Sequence, residues 1–318
     1  MREASFLALH HKKWNKAEEL LNSSRSLSAE EATDLFVELT DDLAYAQTFY
    51  AGSMTEKYLN QLTQRLYLLI HQRPRKRFHF WKFWRYEVPA TMAKHHLFLL
   101  WVFIAFLIFV VIGVVSTQYN EAFPRYVLGD AYVDKTLANI ENGDPMAIYK
   151  SQGQESMFWG ITLNNLKVSG LIFISGILFC VGPFYLLFRN AVMLGSFQYF
   201  FVKQDVFLDS FLAIWLHGTI EISCLIIAAF AGVVLGKGFL FPSHLSRRKS
   251  TVLHARDGIK IFLGIVPLII LAGFIESFFT RLTDLPAIIR FLLILASATF
   301  SVWYFVLLPI QISKKQKS

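Results

Sequence analysis

Residues 97–115, LFLLWVFIAFLIFVVIGVV, run for nineteen positions without one charged side chain. As a helix they rise about 28 Å, close to the ~30 Å hydrocarbon core of a bilayer. Inside hydrocarbon the backbone must satisfy its own N–H and C=O groups, so such a run folds as a membrane-crossing helix. Further apolar stretches follow at 166–188, 190–202, 209–236, 261–279 and about 285–310. Only 17% of the chain is charged, against about 25% in soluble domains, and the deficit begins after residue 95. The expected fold is all-α. It is a polytopic helical membrane protein of about six transmembrane helices, one of them short or re-entrant, with an N-terminal amphipathic helical region. The boundary is expected near residue 95, between a cytosolic region (1–95) and a transmembrane domain (96–318) with an external loop at 116–165.

The first 95 residues read differently. Phe6, Leu9, His10, Trp14, Ala17 and Leu21 recur at helical spacing, which predicts one apolar face. Ser28 and Glu31 have the spacing of a capping box, opening a second helix whose apolar face runs Leu35, Phe36, Leu39, Leu43, Ala46 and Phe49. A third helix is expected over about 55–72. Nothing in this region has the pattern of a catalytic site. No apolar core of a signal peptide precedes it, so the first span is expected to direct insertion.

Residues 73–86, RPRKRFHFWKFWRY, carry six basic residues (Arg73, Arg75, Lys76, Arg77, Lys82, Arg85) among aromatic rings that include Trp81 and Trp84. Basic groups attract anionic headgroups at about 1 kcal/mol each, and aromatic rings favour the interface. This stretch is expected to lie on the membrane surface and to orient the first span. The stretches 73–94, 243–260 and 314–318 are rich in Lys and Arg, whereas 116–165 and 203–209 are not. The positive-inside rule then places both termini in the cytoplasm of a bacterial inner membrane. The formal net charge of +8 has the same origin, and no recognition motif points to nucleic acid.

The segment AIWLHGTIEISCLIIAAFAG interrupts its apolar run with His217 and Glu221, one turn apart on one face. A carboxylate at mid-bilayer costs about 2.5–3.5 kcal/mol on insertion scales, so it is expected to face the bundle interior. With Glu276, Asn164, Asn165 and Asn190 these residues form the expected intramembrane polar cluster, in the outer half of the membrane. Three uses stay open: a hydrogen-bonded clamp, a proton- or substrate-handling site, and a metal site. H-x-x-x-E spacing suits zinc, but the sequence supplies no defined third ligand. No metal or other cofactor is therefore expected, and no residue is assigned a catalytic role. Cys224, Ala228, Gly232 and Gly236 recur every fourth residue, a small-residue stripe for close helix packing, with a homodimer contact as its competing use. The two cysteines imply no disulfide framework, and no nucleophile elbow, phosphate loop or dinucleotide fingerprint is present.

The segments REASFLALHHKKWNKAEELL, DLAYAQTFYAGSMTEKYLNQL, FRNAVMLGSF, LHGTIEISCLIIAAFAGVVLG and LAGFIESFFT, taken in order, resemble the stage II sporulation protein M family of bacterial membrane proteins. The resemblance implies a multi-spanning helical fold. Its recurrent polar positions map onto Asn190, Gly195, His217, Gly218, Glu221 and Glu276, with no catalytic chemistry implied. Sporulation members are associated with peptidoglycan remodelling, as partners of a lytic enzyme and an accessory protein, and other members have no defined role. The long N-terminal region departs from the shortest members. The function expected is non-enzymatic: a scaffold or partner-recruiting component of a cell-envelope complex, touching lipid headgroups and other membrane proteins. The competing expectation is a transporter or channel component, motivated by the polar cluster and the short segment 190–202. A metal-dependent membrane hydrolase is a third.

Overall fold

The computed structural model describes residues 1–22, 29–71, 79–144, 147, 153–242, 244, 246–280 and 286–317. The described residues contain helices and no strand. They fall into two compact units, Met1–Phe78 and His79–Ser318.

The first unit is three helices: α1 (Glu3–Asn22), α2 (Ala29–Phe49) and α3 (Met54–His71). Its core draws Phe6, Trp14 and Ala17 from α1, Leu39 and Ala46 from α2, and Leu59, Leu62 and Leu66 from α3. These are the 3.6-period stripes of each helix closing on one another. One polar group is buried with them. Asp42, 7% exposed, accepts the Trp14 indole N–H at 2.8 Å and pairs with Lys13 Nζ at 2.6 Å. A buried carboxylate is tolerated when it is paired in this way, and these contacts tie α1 to α2. Tyr58 donates its hydroxyl to Glu18 at 2.8 Å, tying α3 to α1. The capping serine expected at residue 28 lies outside the described residues. Leu9 and Phe49, expected on the apolar faces of α1 and α2, are exposed.

The second unit begins with α4 (Phe80–Lys82), which passes through a π-helical turn (Phe83–Glu87) into α5 (Val88–Lys94). Then come α6 (His96–Tyr119), α7 (Phe123–Leu128), α8 (Asp130–Glu141), α9 (Gln154–Ile174), α10 (Val181–Lys203), α11 (Phe207–Leu240) and α12 (Arg247–Phe274). A second π-helical turn, Ile275–Phe279, extends α12. The chain ends with α13 (Ala287–Val302), a third π-helical turn (Trp303–Leu307) and α14 (Leu308–Lys317). Five of these stretches are long and apolar enough to cross a membrane: His96–Tyr119, Gln154–Ile177, Phe207–Leu240, Arg247–Phe279 and Ala287–Lys315. The chain is an all-α polytopic membrane protein.

At the centre stands α11. Of its apolar window 78% is buried, against 17% for α6 and for the last span. The peripheral helices turn large apolar side chains outward, such as Leu100, Trp101 and Val111 on α6 and Phe291 and Leu292 on α13. That is the distribution of a bundle whose solvent is lipid. Small residues let neighbours reach α11 closely: Gly232 stands 2.8 Å, measured from a hypothetical Cβ, from both Ile172 O on α9 and Pro183 Cγ on α10. On another face Cys224 packs against Ile265 O of α12.

Three expectations are corrected by these elements. The second span begins at Gln154, not at 166, so residues 154–165 of the supposed external loop belong to a membrane-length helix. Its polar first half (GITLNNLK) hides it from a hydropathy window; there Thr162 is buried against Gly273 of α12, whereas Gly160, Leu163, Asn164 and Lys167 are exposed. The break after it falls at residues 178–180, where Phe179 and Cys180 adopt left-handed φ of 52° and 66°, and not at Arg189. The segment 190–202 is accordingly no short or re-entrant piece. It is the second half of the 23-residue α10, whose rise of about 34 Å suffices for a crossing. Among the described residues of the remaining loop, two further helices form, α7 and α8. Gly129, at φ +90°, permits the sharp passage from α7 to α8, and Val133, Leu137 and Ile140 of α8 pack on Phe200, Phe201 and Ile214.

The unit boundary falls at 78/79, so residues 79–95 belong with the membrane unit rather than with the N-terminal helices. Trp84 donates its indole N–H to Gly264 O at 3.0 Å, and Tyr304 donates to Trp84 O at 2.9 Å. His95 Nε2 lies 3.2 Å from Asp257 Oδ2, with Lys94 Nζ at 3.9 Å.

Candidate functional site

Three helices converge on the polar interruption in α11. His217 is buried at 4% exposure, and its Nδ1 lies 3.0 Å from Thr280 Oγ1, at the end of the π-helical turn that follows α12. Thr280 has one hydroxyl proton, which reaches Ile275 O at 3.4 Å. Its oxygen therefore accepts Nδ1–H, a tautomer assigned from this network. In that tautomer Nε2 carries a lone pair, and it faces Glu276 Oε1 at 3.7 Å. Glu221 stands one helical turn beyond His217. Ligand atoms of His217, Glu221 and Glu276 all lie within 4.8 Å of one another. Measured along α11 from Phe207, His217 and Glu221 are about 15 and 21 Å in, so both are at membrane depth.

The π-helical turn matters locally. One extra residue per turn rotates the helix there; the turn carries Glu276 and Ser277, and Thr280 follows it directly. From α9, Asn165 comes close enough to interact with the Glu221 carboxylate, though its Nδ2 meets no hydrogen-bond geometry. Thr162, one turn earlier, packs against Gly273. Its Oγ1 and the Oγ of Ser277 are buried without a hydrogen-bond partner. Among the described residues no Lys or Arg forms an ion pair with Glu221 or Glu276; His217 Nε2 is the neighbour of Glu276.

Of the six residues expected in the cluster, His217, Glu221, Glu276 and Asn165 are brought together. Asn164 points away and is exposed. Asn190 uses its amide on Leu186 O of its own helix, at 2.8 Å. Thr280 and Thr162 were missed by sequence reasoning, because a threonine in a helix ordinarily bonds the carbonyl one turn back. Gly195, singled out from the resemblance, lies where α10 meets α6 backbone to backbone, against Val110.

The stripe Cys224, Ala228, Gly232 and Gly236 is buried within the bundle, with Gly236 against the Cys180 turn. Of the basic and aromatic interface residues, Arg73, Arg75, Lys76 and Arg77 lie outside the described residues. Trp81 is 81% exposed. Lys82, Trp84 and Arg85 line a cavity of about 1110 Å³ together with Phe300, Trp303 and Lys315. The cavity is thus walled by two of the three π-helical turns, while the polar cluster belongs to the third.

Residues 102–281 match the family described as Stage II sporulation protein M. This covers more than half of the chain, including every residue of the polar cluster, and the chain belongs to that family. Residues 4–72, the three-helix unit, match a separate domain of unknown function, DUF8413. A relative described as the uncharacterized protein MJ0706 of Methanocaldococcus jannaschii is 29% identical over 196 residues, which is 60% of this chain and 84% of the relative. No solved structure matches the chain.

Proposed function

We propose that this protein is a non-enzymatic membrane scaffold: the helical bundle anchors a cell-envelope complex, and the three-helix unit recruits a partner to it. The observation that carries this reading is the packing of α11. Neighbouring helices enclose most of its apolar window, and His217 meets Glu276 of the following turn, the two side chains being only 5% and 13% exposed. A polar pathway needs groups that water or substrate can reach, whereas an anchor needs a bundle that holds one arrangement. The N-terminal unit has its own core and its own family match, as a recruiting module would. We place the protein in the cytoplasmic membrane with both termini inside. The basic residues Arg247, Arg248 and Lys249 and the terminal lysines 314, 315 and 317 support this orientation. Lys82 and Arg85 beside the aromatic cavity suit anionic headgroups at the same face.

The competing transport function predicts movement of protons or solute through the cluster. Purified protein reconstituted into liposomes containing a pH-sensitive dye distinguishes the two. The scaffold reading expects no flux above empty liposomes, together with a specific adduct when a photo-crosslinking residue replaces exposed Glu38 in living cells. A flux that Glu221→Gln abolishes, with the helical content unchanged, overturns it.

A further inference from the structure

We propose that His217, Glu221 and Glu276 form a binding site for one divalent first-row transition cation, with zinc the best match. The proposal concerns a ligand and holds whether or not the protein is a scaffold.

The first argument is geometric. One imidazole nitrogen and two carboxylate oxygens, supplied by α11 and the Ile275–Phe279 turn, already lie within 4.8 Å of one another, and the Nε2 to Oε1 separation is 3.7 Å. Donors at 2.0–2.2 Å from a tetrahedral zinc stand about 3.4 Å apart. Rotation about the glutamate side-chain bonds supplies the remaining approach, and α11 and the Ile275–Phe279 turn keep their places. Three protein ligands leave one position for water or another ligand, as in known His and Glu zinc sites.

The second argument is the outer shell. A metal-bound histidine characteristically donates its other ring N–H to an oxygen that sets its tautomer and orientation. Here Thr280 accepts Nδ1–H at 3.0 Å and is itself oriented by Ile275 O, which leaves Nε2 as the nitrogen directed at the carboxylates. Thr162, at 3% exposure, packs against Gly273, one turn before Glu276, and Ser277, at 0%, follows Glu276 in the turn; the hydroxyls of both are buried and without hydrogen-bond partners.

The third argument is charge. Two carboxylates held this close at membrane depth repel one another, and no Lys or Arg among the described residues compensates either of them. A divalent cation with a neutral histidine and two carboxylates is a net-neutral assembly, which removes the penalty of unpaired charge in a low dielectric. Oxygen donors alone would suit magnesium or calcium. The imidazole shifts the preference to zinc and its neighbours.

The test uses the full-length chain, purified in detergent, stripped with chelator and dialysed against zinc, manganese or iron(II). Bound metal is read by plasma mass spectrometry and thermal unfolding is followed in parallel. About one zinc per chain is expected, with a higher melting temperature that EDTA reverses. Glu276→Gln and His217→Asn, checked for native helical content, are each expected to weaken zinc binding tenfold or more. Thr280→Val, which keeps all three ligands, is expected to weaken it by about 10–100-fold. Wild-type protein that binds none of the three metals and shows no change in melting overturns the proposal without any variant. So does stoichiometric zinc with unchanged affinity in Glu276→Gln and His217→Asn, which would locate the metal elsewhere, for example at His10 and His11.

Discussion

Single residues decide how closely the helices of this bundle approach. At Gly232 a side chain would press on Ile172 O and Pro183 at 2.8 Å, and both are parts of elements that cannot retreat without moving a span. We expect Gly232→Val to cost about 1–3 kcal/mol through overpacking, seen as a lower melting temperature in detergent. Gly218 has only distant neighbours, the nearest at 3.8 Å, so Gly218→Ala should leave melting almost unchanged. In the N-terminal unit, Trp14→Ala removes a fully buried indole and the Asp42 hydrogen bond. A loss of about 3–5 kcal/mol is expected. Tyr58 titrates late: burial, then the hydrogen bond to Glu18, pushes its hydroxyl up to about 12. Because the folded value is raised above the ordinary 10.0, its contribution to stability is intact below pH 10 and is lost as pH rises from 10 through 12. An ultraviolet titration of wild type minus Tyr58→Phe should show that one phenolate forming well above pH 10.

Among the elements, α1 to α3 form a closed apolar core with ion pairs bridging the helices, so they carry what an independent domain needs. Residues 1–78 expressed alone should be soluble, helical by circular dichroism and cooperative in urea. Aggregation or non-cooperative melting would contradict the unit boundary. The three π-helical turns deserve comparison with one another. Two of them, Phe83–Glu87 and Trp303–Leu307, meet through Trp84 and Tyr304 and frame the aromatic cavity. The third presents Glu276 to His217. Each is a place where the regular ladder is rotated to aim side chains that a straight helix would direct elsewhere.

For the whole molecule, the orientation is open to a direct measurement. With both termini inside, Lys135→Cys on exposed α8 should react with a membrane-impermeant maleimide in intact cells, and Arg248→Cys at the start of α12 only after permeabilisation. The reverse pattern would invert the topology. How much of this molecule could be read from the chain varies with the physics involved. A charge-free run of nineteen residues admits one structure in hydrocarbon, and the i, i+3, i+4 stripe from Phe6 to Leu21 admits one face, so the span at 97–115 and the N-terminal helices were legible. His217 and Glu221 were legible too, because charge inside an apolar run is costly and therefore informative. The start of α9 was not: its first half is too polar to read as a span, and only the packing of α9 on α12 decides that Thr162 is buried, against Gly273. The meeting of Glu276 and Thr280 with His217, 59 and 63 residues away in the chain, depends on the crossing of α11 and α12 and on one π-helical turn. Local patterns record what each segment can bury, whereas the partner it buries against is a property of the assembled bundle.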